Sequence, residues 1–413
     1  MRISFFLFSI IMLQVSCWAQ FNDVVIKTPN GFSTTNVAWD FGRVRHIVVN
    51  SNGDLYMKLE KLYNGKGIVR LRDLNKDGKM DDTLRFGNYV GTGIAIKNGY
   101  LYASSNSEVF RYKLDAQQNI VDTENPEKII TGLVDKRQHA SKSITLDEAG
   151  NIYVNIGGPS NVCQEQDRQK GSKGMMPCPL LETAGGIWQF KADKLNQSYA
   201  EGIRYATGIR NCVGLDWNKE VNELFITVHG RDMLYQDYPT LYDQKRGAEL
   251  PSETMYMVKK GDDCGWPYVH WDHIQHKKIL NPEYGGDGNK TGVENAISPL
   301  MGFPGHMAPN ALLIYTGNQF PEKYKNGAFI AFHGSWNRAP ENQEGFYVVF
   351  VPMKNGKPTG NWEVFADGFS GMEKVTNLSS AKHRPCGLAQ GPDGAIYVSD
   401  DVKGHVWKIQ YNQ

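Results

Sequence analysis

One pattern recurs six times along the chain and restricts its fold more than any other feature. An apolar strand runs into a turn rich in Gly, Asn or Asp and returns as a second strand that usually carries an aromatic. The copies are HIVVNSNGDLYM (46–57), IAIKNGYLYAS (94–104), SITLDEAGNIYVNIG (143–157), GLDWNKEVNELFITV (214–228), LIYTGNQFPEKYKNGAFIAF (313–332) and GLAQGPDGAIYVSD (387–400). Such turns supply the backbone freedom that a hairpin needs. The aromatic anchors are Tyr56, Tyr102, Tyr153, Phe225, Phe329 and Tyr397, unevenly spaced because long segments intervene at 159–200 and 236–310. Six units over roughly 390 residues leave about 65 per unit, room for a four-stranded blade with insertions. The expectation is an all-β fold, a six-bladed β-propeller with long inter-blade loops, forming one domain over 20–413. The last strand, HVWKIQY (405–411), is expected to close the ring against residues near 23–27, because an open ring leaves bare strand edges. A large β-sandwich or two β domains is the competing architecture, but no Pro/Ser-rich linker divides the chain.

The N-terminus, MRISFFLFSIIMLQVSCWAQ, has one basic residue, an apolar run from Ile3 to Val15 and small residues around Ala19. This reads as a secretory signal over 1–19, too short to span a bilayer, with Gln20 first after cleavage. Acylation at Cys17 is the alternative, for which Gln14-Val15-Ser16 is a poor approach. The expected location is secreted or periplasmic. Without Arg2 the chain carries 44 basic side chains, equal to its 44 acidic ones. That balance gives no reason to expect a nucleic acid or an anionic membrane as partner. Cys163 and Cys178 bracket a polar loop with no apolar periodicity of its own, and a disulfide closing that loop is the expected pair. Cys212, Cys264 and Cys386 sit beside apolar or Gly-rich segments and read as buried thiols. No C-x-x-C-H occurs, so no c-type haem is attached to this chain.

In a propeller the innermost strand of each blade starts at one mouth of the central channel. Polar residues ahead of the six signatures therefore converge: Arg45-His46, His139, Arg210-Asn211, His306 with Asn310, and Lys382 with Arg384. The step to the aromatic anchor is 14 residues from His139, 15 from Arg210 and 13 from Arg384, nearly in phase. Cations gathered at one mouth imply an anionic guest, unless each one pairs locally with an acid or a carbonyl. GAFIAFHGSWNRAP (327–340) adds His333, Trp336, Asn337 and Arg338 at the end of a strand.

YATGIRNCVGLDW, HGRD (229–232) followed by PSETMYMVKKGDDCGWPY (251–268), AFHGSWNRAP and RPCGLAQGPDGAIYVSDD, in that order, resemble the soluble pyrroloquinoline-quinone-dependent sugar dehydrogenases, the glucose/sorbosone dehydrogenase family. The resemblance runs from about residue 40 to the C-terminus. It implies a propeller that holds pyrroloquinoline quinone (PQQ) and Ca2+ at the channel mouth, a small-molecule sugar or polyol as substrate, and an external electron acceptor such as a cytochrome or a quinone. It places the general base at His139 and a guanidinium beside the quinone at Arg210, followed by Asn211. Lys382 and Arg384 take the places of the family's cofactor-carboxylate cations. Main-chain oxygens for calcium fall at Gly230 and Arg231, ahead of the strand that bears Glu253. In the stretch that holds a cofactor-contacting lysine in the glucose dehydrogenases, this chain has Trp336-Asn337, flanked by His333 and Arg338. These either meet the cofactor's aromatic, anionic surface or serve packing and loop capping.

Two departures bear on chemistry. Val213 stands where the glucose dehydrogenases have Gln, and Gly158 stands where they have the Asp that orients the base. His139 must then be oriented otherwise, with Ser160 and Asn161 as candidates, or it is not the base. RDLNKDGKMDD puts Asp73, Asn75, Asp77 and Asp81 at positions 1, 3, 5 and 9 of an EF-hand-like spacing with Gly78 at 6, but Leu84 occupies position 12. A structural calcium loop or a solvated acidic turn both fit. The segment 236–310 is expected to roof the site, with His270, His273 and His276 in a solvated loop. The alternative to an enzyme is a propeller that binds a glycan or protein after losing the cofactor. A calcium-dependent lactonase would want carboxylates at the mouth instead of cations. For the exported protein, intact-mass analysis is expected to give a chain that starts at Gln20; a lipid-modified Cys17 would overturn the signal-peptide assignment.

Overall fold

The computed structural model describes residues 23–412, so the signal segment over 1–19 and Cys17 lie outside the described residues. The six signatures become the first two strands of six sheets, one per sheet and in chain order; the four blade strands pair antiparallel, and in the second and third sheets a short added strand pairs in parallel. The inner strands are Val44–Val49, Ile94–Lys97, Ile144–Leu146, Leu215–Asn218, Pro309–Ile314 and Pro385–Gln390. Each touches the next, and the last touches the first, so they form a closed ring. All six aromatic anchors lie on second strands and are buried. There they pack between blades, which explains why an aromatic recurs at that position: it fills the wedge that opens as twisted sheets fan out from an axis.

Closure differs from expectation in its register. The final strand Val406–Tyr411 pairs antiparallel with Phe32–Ala38, which becomes the outer strand of the sixth blade. Residues near 23–27 instead run beside the fifth blade, where Lys27 exchanges backbone hydrogen bonds with Asp367 at 2.8 and 2.9 Å. The physical driver is aromatic packing. Phe32 meets Phe320, Tyr324, Phe365 and Tyr411 edge-on, with ring centroids 4.7–5.5 Å apart, whereas Val25 is exposed.

The segment 236–310 is also more than a roof. It supplies the two outer strands of the fourth blade, Ser252–Val258 and Met301–Gly305, and the short strand Asp262–Asp263 that extends the third. His270 is buried in the hairpin Val269–Asp272/Lys277–Leu280 with its Nδ1 2.8 Å from Asn281 Oδ1, so it is not in a solvated loop. Cys163 and Cys178 form a disulfide, and Cys212, Cys264 and Cys386 are buried thiols. Among the described residues no helix is long and apolar enough to cross a membrane.

Phe32→Ala removes the residue that seats the closing strand, and a loss of about 2–4 kcal/mol is expected from the cavity alone. Urea denaturation checks this. An unchanged midpoint would show that the ring does not depend on this contact.

Candidate active site

An antiparallel hairpin puts the start of its first strand and the end of its second at the same end. The mouth is therefore lined by residues entering the inner strands and residues leaving the second strands. His139, ahead of Ile144–Leu146, adopts a left-handed backbone (φ +54°). Its Nδ1 lies 2.6 Å from the Gly158 carbonyl oxygen. Only an N–H can donate to that oxygen, so Nδ1 carries the proton and Nε2 is the basic nitrogen. The Gly158 N–H in turn donates to the Arg210 carbonyl at 2.8 Å. The missing carboxylate is thus replaced by a main-chain oxygen, and neither Ser160 nor Asn161 orients the ring. Both glycines here are required by close approach: a Cβ on Gly158 would lie 2.4 Å from the Trp266 ring, and one on Gly157 would lie 2.5 Å from His139 Cβ.

Arg210 is buried and donates from Nη2 to Asp232 Oδ2 at 2.8 Å and to Asn161 Oδ1 at 3.1 Å, and from Nε to the Asn161 carbonyl at 3.2 Å. Ser160 Oγ donates to Asp167 Oδ1 at 2.6 Å, which keeps that loop in place. Burial alone would raise Asp232, but the Arg210 and Arg168 guanidinium groups hold it below the usual carboxylate range. Asn211 lies 3.4 Å from Asn155 Nδ2 and 3.5 Å from His229 Nδ1. Burial, reinforced by the Arg210 charge, lowers both His139 and His229 to about 3. Neutral imidazoles can therefore sit beside a guanidinium without repulsion.

The opposite arc of the mouth comes from the first, fifth and sixth blades. His333 Nε2 lies 2.6 Å from Asp401 Oδ1, and Asp401 Oδ2 accepts from Arg45 Nη1 at 2.7 Å. Arg384 donates from Nε and Nη2 to the carbonyls of His333 and Gly334, at 2.9 and 2.6 Å. Arg45 Nε is buried without a partner. Asn337 Nδ2 reaches Asp232 Oδ1 at 3.4 Å and so joins the two arcs, and beside it Trp336 is 57% exposed. His46 Nε2, 2.7 Å from the Asn310 carbonyl, lines the central channel, a cavity of about 340 Å³.

Two expected cations do not join this group. Lys382 is exposed and its Nζ donates to the Asp23 carbonyl at 2.8 Å, on the N-terminal segment. Arg338 is buried and committed to the Ala248 and Gly305 carbonyls, at 2.6 and 3.0 Å, and to Glu249 at 2.6 Å. It tethers the helix Gln244–Glu249 to the fourth blade. His306 likewise meets the Gly247 and Leu250 carbonyls, at 2.9 and 3.1 Å. Asp232 closes the HGRD motif but carries no role in the sequence reading, and Asn161, a candidate there for orienting His139, instead holds Arg210 and the Asp232 N–H.

A hard cation needs oxygen donors. Glu253 is buried and accepts from the Gly230 and Ala308 N–H groups at 3.0 and 3.2 Å, yet burial pushes it up to about 8. Arg231 turns its guanidinium away to Glu283 at 2.6 Å. Among the described residues no donor meets the Gly230 or Arg231 carbonyl oxygens. On the opposite end of the first blade, the carboxylates of Asp73, Asp77 and Asp81 lie within 4.8 Å of one another in the turn between Lys66–Arg72 and Asp82–Phe86. The Asn75 side chain accepts from the Asp77 N–H at 2.9 Å in the same turn.

Residues 26–412 match the TrAA12-like family. The chain belongs to that family. An uncharacterised protein of Borreliella burgdorferi is 29% identical over 279 residues, 67% of this chain and 62% of that protein. A PQQ-dependent pyranose dehydrogenase of Coprinopsis cinerea is 25% identical over 430 aligned residues, 93% of this chain and 54% of the relative. The chain thus spans between about half and two thirds of the length of these curated relatives. The fold is shared with the holo form of the Coprinopsis cinerea pyranose dehydrogenase PQQ domain, at TM-score 0.74 and 20% identity, covering 94% of this chain and 97% of that one. The calcium structure of the Trichoderma reesei family AA12 enzyme is equally similar, at TM-score 0.74 and 18% identity over 94% and 97% of the two chains.

The environments of His139 and His229 predict that neither ring titrates between pH 5 and 8, and that His139 is the Nδ1–H tautomer. Long-range proton–nitrogen NMR on histidine-labelled protein checks both. A His139 midpoint near 6.5 would show that the ring is solvated instead of held by Gly158.

Proposed function

We propose that this chain is a quinoprotein dehydrogenase that oxidises an aldose or related sugar or polyol, with PQQ and Ca2+ at the propeller mouth and electrons passed to an external acceptor. The observation that carries the reading is the pairing of a neutral, carbonyl-oriented His139 with Arg210 through one glycine. The TrAA12-like membership and the PQQ-dependent relatives support it. The mouth also suits a flat polyanion. Arg45, Arg210 and Arg384 outnumber Asp232 and Asp401, Arg45 Nε lacks a partner, and Trp336 offers an exposed aromatic face. His333 and Asn211 would line the same site.

When bound, PQQ supplies the hydride-accepting carbonyl and relays the two electrons onward. His139 Nε2 takes the proton of the hydroxyl whose carbon loses hydride, so the proton and the electron pair leave the sugar by separate routes. Nε2 is unprotonated throughout the neutral range. Because the Arg210 charge is part of what depresses His139, an anion placed beside Arg210 would raise its basicity where that basicity is used. Arg210 is rigidly held by Asn161 and Asp232, as a group must be if it is to stabilise developing charge without reorganising. Calcium would be held by the Gly230 and Arg231 carbonyls, with Glu253 fixing the Gly230 peptide. A second, structural calcium would sit among Asp73, Asn75, Asp77 and Asp81. The chain would act outside the cytoplasm.

Reconstitution with PQQ and Ca2+ is expected to give dye reduction with aldoses or polyols. His139→Ala is expected to lower kcat by about 10²–10⁴-fold while PQQ still binds. A chain that binds no PQQ, with or without calcium, would refute the enzyme and leave a propeller that binds glycan or protein.

A further inference from the structure

The loop between the second and third strands of the third blade is closed by the Cys163–Cys178 disulfide and docked against the segment 266–284. Tyr284 Oη donates to the Val162 and Cys163 carbonyls at 3.0 and 3.2 Å, and the Cys178 N–H donates to Tyr268 Oη at 2.8 Å. Most of its side chains face solvent, but Arg168, at φ +59°, turns back toward the mouth. Its Nε donates to Gln138 Oε1 at 3.1 Å, and its Nη2 donates to Asp232 Oδ2 at 3.0 Å. Gln138 immediately precedes the base candidate. Asp232 Oδ2 is the same oxygen that Arg210 engages. The neighbouring Asp167 completes the clamp, accepting from the Gln138 side chain and, at 2.8 Å, from the Asn161 N–H.

We propose that Arg168 is a positioning residue for the dehydrogenase site: from a disulfide-closed loop it bridges Gln138 and Asp232, locking His139 and Arg210 into one frame while sharing the carboxylate that would otherwise neutralise Arg210. The inference rests on the dehydrogenase reading above. Its electrostatic part is simple. Arg210 and Asp232 alone form a neutral pair, whereas a second guanidinium on the same oxygen divides that carboxylate's charge between two cations; Asp167, 4.0 Å from Arg168 Nε, offsets Arg168 from the loop side, so Arg210 is left less completely neutralised toward an anionic guest. Its geometric part follows from the planar fork, which satisfies two acceptors in different directions at once, as an ammonium on a flexible stem cannot do with the same rigidity. The side chain is 31% exposed, so the role is not that of a core residue.

R168Q and R168K separate the two parts. With R168Q, kcat is expected to fall tenfold or more, the sugar KM to stay within threefold, and the PQQ Kd, read by absorbance titration, to weaken about tenfold, with the thermal midpoint little changed. R168K is expected to recover the PQQ affinity, which needs only the charge, but not kcat, which needs the fork. Wild-type kcat and PQQ Kd, each within twofold, in R168Q would overturn the proposal. Amide hydrogen exchange on the chain without cofactor gives an independent reading. In R168Q the peptides carrying Asn161 and Asp232 are expected to exchange at least tenfold faster, and unchanged exchange there would overturn the clamp. If the wild type binds no PQQ, the dehydrogenase reading fails on its own, and the exchange result still decides whether Arg168 holds the mouth together.

Discussion

The pairing of Phe32–Ala38 with Val406–Tyr411 is the contact on which the rest of the structure depends. Six twisted sheets arranged around an axis are stable only if the ring has no seam, because an open first and last blade would expose strand edges and inter-blade aromatic surface together. Here the strand Phe32–Ala38 completes the blade formed by the C-terminal strands, so segments from opposite parts of the chain share one sheet. Closure sets the radius of the ring, and the radius sets how near the six inner strands bring their leading residues. His46 meeting Asn310, and Arg45 meeting Asp401, are consequences of that geometry: each joins residues that are hundreds of positions apart.

The mouth solves an electrostatic problem that the ring creates. Several guanidinium groups and histidines crowd into a partly buried space, where like charges would repel strongly. The histidines respond by staying neutral under burial and the nearby Arg210 charge. The arginines are offset by Asp232 and Asp401, both held ionised by the cations around them. What remains is an excess of fixed positive charge and a set of neutral, oriented ring nitrogens. Such an arrangement suits an anionic guest and proton transfer better than it suits packing.

Much of the fold could be read from the chain. The six aromatic anchors fell on second strands because a period-two pattern leaves a strand little choice of face. The convergence of Arg45, His139, Arg210 and Arg384 followed from where the inner strands begin, whereas His333 was placed with them by the resemblance of its stretch. Lys382 and Arg338 were the misassignments. Both sit beside true mouth residues in sequence, but a side chain with four or more rotatable bonds goes to whichever partner lies within reach, and those partners, Asp23 and the Ala248 and Gly305 carbonyls, come from distant segments. Gly158 was read as the loss of an orienting acid, because a sequence displays side chains and not the direction of a carbonyl.

By itself, the sequence determined the number of blades, their order and the end of the propeller axis at which polar residues collect, since these depend on local periodicity and turn chemistry. Only the tertiary structure decided which strand closes the ring, which oxygen holds His139, and which of the cations remain at the mouth. Those outcomes depend on atoms brought within about 3 Å by closure, the range over which a hydrogen bond or an ion pair is won or lost, and no local pattern in a chain encodes that distance.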